Sequence, residues 1–255
     1  MDPYAWAWDI EALLVVPALA IGYALAVHGR PVQRWRIYCF AAGLGLILAV
    51  SITPVQTIAL NYLLSAHLLQ NVVLAEWAPA LCVLGLPPAL AATLARLPLA
   101  RALTWPPVAL TTWLAVYFAW HVPAAYDAAL RHQTTLLHLE HASYFAAGCL
   151  VWWPVFQDEP WRLRAGARAV YLFAAFVLAA PLGLLLALIP EPVYDFYEQG
   201  PGLWGLSPLT DQQIAGATMS LEQAAVFFAA STYFFLRFLR TDESAEAFRN
   251  LERST

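Results

Sequence analysis

Apolar runs of close to twenty residues recur along the whole chain, each closed by proline, glycine or arginine, and this limits the fold more than any motif does. The runs fall at about 10–27, 37–53, 60–85, 104–122, 135–154, 169–189 and 211–238. A run of that length spans a bilayer as a helix. Hydrocarbon offers no water to backbone groups, and period-two alternation is absent, so the runs are predicted to be helices. The expected fold class is all-α: a polytopic bundle of seven transmembrane helices over residues 1–240, with a polar cytoplasmic tail at 241–255. Composition agrees, with 61% hydrophobic and 12% charged residues and a mean hydropathy of +0.61. Asp2, Asp9 and Glu11 are the early charges and no base precedes the first run, so that run reads as a span rather than a cleaved signal. Every base is arginine and none forms a nucleic-acid patch. Cys39, Cys82 and Cys149 are widely spaced, with neither a disulfide framework nor a thiolate clamp in view.

Arginine sets the orientation. Arg30, Arg34 and Arg36 follow the first span, Arg96 and Arg101 the third, and Arg162, Arg164 and Arg168 the fifth. Arg237, Arg240, Arg249 and Arg253 lie at or beyond the end of the seventh. Of the 13 bases only Arg131 falls on the other side, which carries Asp2, Asp9, Asp127, Glu191, Asp195 and Glu198. The expected topology is N-terminus out and C-terminus in. Pro17, Pro79 and Pro181 stand within spans and are candidate kinks. The outer loop at 190–210 reads as an interfacial cover with its tyrosines and tryptophan near the headgroups. Trp152–Trp153–Pro154 reads as an anchor at the inner interface.

With directions assigned, polar residues sort by depth. His67, Gln70 and Asn71 fall in the outer half of span three, and His121 at the outer end of span four. His138, Glu140 and His141 fall in the first two turns of span five, and Asp211 and Gln212 at the outer end of span seven. Met219 and Glu222 lie deeper, at ~1.5 Å per residue. His138 and His141, three apart, share a helix face, and Asp211 and Glu222, eleven apart, nearly do. Glu76, half a turn round from His67, should meet a different neighbour. His28 and His132 lie in loops. Imidazoles from three spans at one level favour a metal or haem-related site over interhelical hydrogen bonding alone. The candidate ligands are His67, His121, His138, His141, Asp211, Met219 and Glu222. Gln70, Asn71, Tyr126, Asp127, Glu140 and Gln212 are the candidate supports. Imidazole suits copper, zinc and iron alike.

At these residues the chain resembles the CtaG family of cytochrome c oxidase assembly proteins. The resemblance rests on SAHLLQNVVLAEWAPALCVLGLP (65–87), WHVPAAYDAAL (120–130), HLEHASYFAAGCLVWWPV (138–155) and LTDQQIAGATM (209–219). It implies a multi-pass protein of the bacterial plasma membrane that delivers copper to the heme–copper centre. Its implied partners are an oxidase subunit or an extracytoplasmic copper carrier, in a setting of membrane lipid, with a homo-oligomer open. The residues it carries over are His67, Gln70, His121, Tyr126, Asp127, His138, His141, Asp211, Gln212 and Met219. Where the family commonly reads HMxQHM, this chain has HLLQN and then Val72, so Asn71 replaces a histidine and two methionines are lost. Where the family has tryptophan after the DQQ-motif methionine, this chain has Ser220.

Other classes make different demands. HExxH and the eight-histidine boxes of membrane hydroxylases are absent. A membrane metalloenzyme holding zinc or iron through histidine and Glu222 stays open, as does a haem-binding subunit with axial histidines. A partner that only docks the oxidase is the fourth possibility.

Overall fold

The computed structural model describes residues 2–254, with side chains through 241. Among them there is helix and no strand. Helix α1 spans Ile10–Val27, α2 Arg34–Ile52 and α3 Pro54–Asn61. A third long run is built from α4 (Leu64–Val72), a π-helical turn (Val73–Trp77) and α5 (Ala78–Gly85). Two short helices follow, α6 (Pro88–Leu94) and α7 (Pro98–Leu103). Then come α8 (Pro106–Trp120), α9 (Pro123–Arg131), α10 (Leu136–Phe156), α11 (Ala165–Leu188) and α12 (Asp195–Glu198). The last run joins α13 (Pro208–Gln223), a second π-helical turn (Ala224–Phe228) and α14 (Ala229–Ser254). Of the expected tail, only the backbone and Thr241 lie within what is described.

Four of these helical runs are long and apolar enough to cross a membrane: α1, α2, Leu64–Gly85 and α11. The number is five if α8 and α9, bent by 73°, form one broken span. Local chemistry explains the boundaries. Proline opens α3, α6, α7, α8, α9 and α13, where its missing N–H would have had no helical partner. Asp9 accepts from Ala12 N at 2.9 Å to cap α1, and Ser207 caps α13 through Thr210 N at 3.1 Å.

Span three starts later than its hydropathy suggests. Leu63 is extended, at φ −130° and ψ 126°, and breaks α3 from α4. Span four ends at Trp120 with His121 as its C-cap, where its hydropathy places the end. The chain turns there into α9, whose buried face carries Tyr126 and Asp127. The π-helical turn before α5 is tied to Pro79, which has no N–H for the carbonyl of Ala75. That freed carbonyl leans onto α10 at Gly148, where a β-carbon would collide with it.

The bundle is layered around Leu64–Gly85. α4 packs on α13, α5 on α2 and α10, α10 on α8, and α11 on both α13 and α14. α1 packs mainly on α2 and leaves Ile10, Leu14 and Leu25 exposed at 70%, 67% and 72%. Such a face suits lipid.

The arginine-bearing ends meet at one end of the bundle. Arg36 Nη1 donates to the Leu84 and Leu86 carbonyls, both at 2.8 Å, closing the last turn of α5. Arg168 pairs with Asp158 at 2.5 Å and lies over Phe234. Trp161 Nε1 donates to the Arg101 carbonyl. Trp152 and Trp153 are not an interfacial anchor. They are buried, and Trp152 stacks between Phe156 and Phe227 because its face of α10 meets the second π-helical turn.

Candidate functional site

Three imidazoles enter the opposite end of the bundle from α4, the C-terminus of α8 and α10. His67 is fully buried, and its Nδ1 lies 3.0 Å from the Tyr197 hydroxyl. That hydroxyl donates to the Ala59 carbonyl at 2.6 Å. Its one proton is therefore committed, so His67 Nδ1 carries the hydrogen and Nε2 keeps a lone pair. His121 reaches the same state by another route: Nδ1 lies 2.7 Å from the Tyr117 carbonyl, which only accepts. The Nε2 atoms of His67, His121 and His141 are all buried without a hydrogen-bond partner. The ring centres of His67 and His141 lie 6.2 Å apart. Tyr126 stands between His67 and His121, 5.1 Å from the first and 5.9 Å from the second. Two imidazoles sharing one ion at ~2.0 Å per nitrogen have centres about 6 Å apart, which His67 and His141 match. Among the described residues no three His, Cys, Asp or Glu side chains converge on one ion position.

The loop before α13 closes this end. Asp127 accepts from Asp195 N at 3.2 Å and Phe196 N at 3.1 Å, capping the single turn of α12. Tyr194 stacks on Tyr126 at 4.2 Å and donates to the His121 carbonyl. The loop does cover the site, but Tyr194 and Tyr197 turn inward rather than toward the headgroups. Burial pushes both phenols up, which keeps them protonated and able to donate.

Asp211 accepts from Leu64 N at 2.6 Å, Ser65 N at 3.2 Å and Ser65 Oγ at 2.5 Å, so it caps α4. That occupies its carboxylate with the otherwise unpaired N-terminal donors of α4, a contribution of roughly 1–2 kcal/mol. Gln212 bridges the Val193 amide and the Glu191 carbonyl at the end of α11. Gln70 bonds Gln56 and the Val50 carbonyl. These three hold the frame and do not face the imidazoles.

Deeper in the bundle the two π-helical turns meet across a second polar group. Glu76 lies on the first turn, and Glu222 and Gln223 stand just before the second. Gln223 Nε2 donates to Glu76 Oε1 at 3.1 Å and to the Tyr117 hydroxyl at 3.0 Å, while Trp77 Nε1 donates to Glu222. Glu76 thus faces a different neighbour from His67. A cavity of about 10 Å³ lies between this group and the histidines, lined by Glu76, His121, Met219, Tyr117, Tyr144 and Asn71. It is just large enough for one water.

Over residues 19–241 the chain matches the cytochrome c oxidase caa3 assembly factor family, Caa3_CtaG. It belongs to that family. No curated protein and no solved structure matches the chain.

In this assembly factor the departures from the family pattern have definite surroundings. Asn71 Nδ2 donates to Glu140 Oε1 at 3.0 Å, and both residues are buried. Glu140 is thus partnered from α4 without a histidine. Ser220 sits against Gly183, where a β-carbon on Gly183 would strike its hydroxyl. A tryptophan has no room at that contact.

The predicted site residues therefore separate. His67, His141 and, behind Tyr126, His121 come together, with Glu140 and Asn71 beside them. His138 is apart: its Nδ1 pairs with Glu11, and the side chains are 32% and 40% exposed. Met219 belongs with Glu76 at the small cavity, and Glu222 with Trp77. Tyr194, Tyr197, Gln223 and Glu11 were not legible as site residues. For the two tyrosines a faint signal exists, since in a helical turn their i, i+3 spacing puts both on one face.

Proposed function

We propose that this assembly factor holds copper at the His67–His141 pair and releases it to an oxidase subunit during maturation of the heme–copper centre. The observation that carries the reading is the pair of buried, unpartnered Nε2 atoms, with the His67 tautomer set by the Tyr197–Ala59 hydrogen bonds. Copper(I) is a d¹⁰ ion that accepts two imidazoles. A structural or catalytic zinc asks for three or four protein ligands, which favours copper here. In this reading His121, separated from His67 by Tyr126, serves as a third donor when the ion moves. Copper is cargo in this scheme, so an incomplete coordination shell suits its transfer.

The accompanying topology is seven spans in the bacterial plasma membrane, N-terminus out and C-terminus in. Support comes from the arginine partition and from the meeting of the Arg36, Arg101 and Arg168 ends at one pole. The histidine pole then faces the extracytoplasmic side, where copper carriers and oxidase copper sites are accessible. Oxidase purified from cells lacking this protein is expected to retain its subunits and haems but to contain less copper than wild type. Fully copper-loaded oxidase from those cells contradicts the reading.

A further inference from the structure

His67 and the Nε2 atom of His141 are buried, so cargo needs a way in, and two adjoining cavities on the α1 side supply one. The outer is a vestibule of about 420 Å³ whose polar lining includes Asp9, Glu11, Gln56, Asn61, Gln133 and His138. The inner is a cleft of about 260 Å³ between α1, α2, the first π-helical turn and α10. Its walls are largely apolar, among them Val15, Val16, Ile47, Leu74 and Phe145, and it reaches His141. Asp9, Glu11 and His138 line both spaces, and the Glu11–His138 pair sits where they join. Beyond it is the His141 Nε2, buried and unpartnered, with the His67 ring 6.2 Å farther on.

We infer that Glu11 and His138 form an entry site where a copper ion from the extracytoplasmic side is captured and handed to His141. This rests on the copper-holding reading above. Asp9 is committed to capping α1 and to Gln56, so it contributes charge rather than a ligand. Glu11 and His138 pair with each other, and both remain partly exposed. Two carboxylates at the mouth raise the local cation concentration. Imidazole is the better copper ligand of the pair, and the carboxylate balances its charge. His138 and His141 are one turn apart on the same face of α10, so the ion exchanges one imidazole for the next without helix movement. It never stands bare in an apolar cleft, where an unligated charge is prohibitively costly. The handover breaks the bonds to Glu11 and His138 as bonds to His141 and then His67 form, with no change of oxidation state.

A plain salt-bridge staple between α1 and α10 makes a different forecast, and uptake kinetics separate the two. Purified full-length protein is mixed with copper(I) bound to a coloured chelator, and loss of the chelate absorbance reports both rate and plateau. Glu11→Gln and His138→Asn are each expected to slow uptake about tenfold or more, in the range seen when groups supporting a metal site are removed. The plateau should match wild type, and Glu11→Asp should recover most of the rate. Uptake by Glu11→Gln at the wild-type rate or faster overturns the entry site while leaving the copper reading intact. A plateau that falls along with the rate also overturns it, since the pair then belongs to the resting site. Wild-type protein that takes no copper removes both.

Discussion

Replacing His67 by glutamine is expected to lower the copper retained by the purified protein by more than about tenfold, because an imidazole ligand is lost outright. Glutamine nearly preserves volume and leaves an amide that can still meet Tyr197, whose own proton stays with Ala59. The bundle should therefore fold, with any loss of stability within about 1–2 kcal/mol for the altered hydrogen bond. His67→Ala removes the ligand and also opens a cavity in a fully buried position, so it should cost a further 2 kcal/mol or so. Elemental analysis of both variants, alongside their thermal unfolding in detergent, separates ligand loss from misfolding. Copper content in His67→Gln equal to that of copper-loaded wild type would rule this residue out as a ligand.

The second large effect is structural. α11 and α13 approach through Gly183, Gly216 and Ser220, the small-residue packing that membrane helices use in place of a hydrophobic driving force. A β-carbon on Gly216 would lie 2.5 Å from both the Ala187 nitrogen and the Gly183 carbonyl oxygen, and 2.9 Å from Leu186 Cβ. Two of those neighbours are backbone and cannot swing aside. Gly216→Leu must push the helices apart, at a cost at or above the ~3 kcal/mol upper end of ordinary overpacking. It should also displace Gln212 and Asp211 from the ends of α11 and α4, loosening the loop over the histidines. Gly45, with open space around it, is the control: Gly45→Ala should leave the unfolding midpoint unchanged or slightly higher. A Gly216→Leu protein as stable as wild type would show that the helices do not meet at that contact.

Much of the fold was legible because hydrocarbon leaves few alternatives. The limits expected for the first span coincide with α1, where Asp9 supplies a cap and the chain is apolar beyond Glu11. Tertiary effects decide what hydropathy does not. Leu63 is as apolar as its neighbours, yet it breaks the helix where Asp211 comes in to cap α4 from 147 residues away. α9 escapes notice because WHVPAAYDAAL is too short and polar to stand out as a helix after a span. The meeting of His67, His121 and His141 around Tyr126 was readable from their positions along the spans. The departure of His138 was not, since a helical wheel does not reveal that α1 brings Glu11, in its first turn, to that edge of α10. The inward turn of Tyr194 and Tyr197 depends on Asp127 capping α12, a contact between segments that carry no shared pattern. Trp152 shows the same limit: tryptophan near a span end suggests an interface, but here a π-helical turn opposite it supplies Phe227 to stack on.

On the reading proposed here, His67 and His141 hold copper just beneath the extracytoplasmic surface. Elemental analysis of detergent-purified wild type and of a His67→Gln, His141→Gln double variant, each after copper loading and desalting, tests it most directly. Retained copper close to one ion per chain in wild type, lost in the folded double variant, is the predicted result. Copper that is near zero in both, or equal in both, would contradict it.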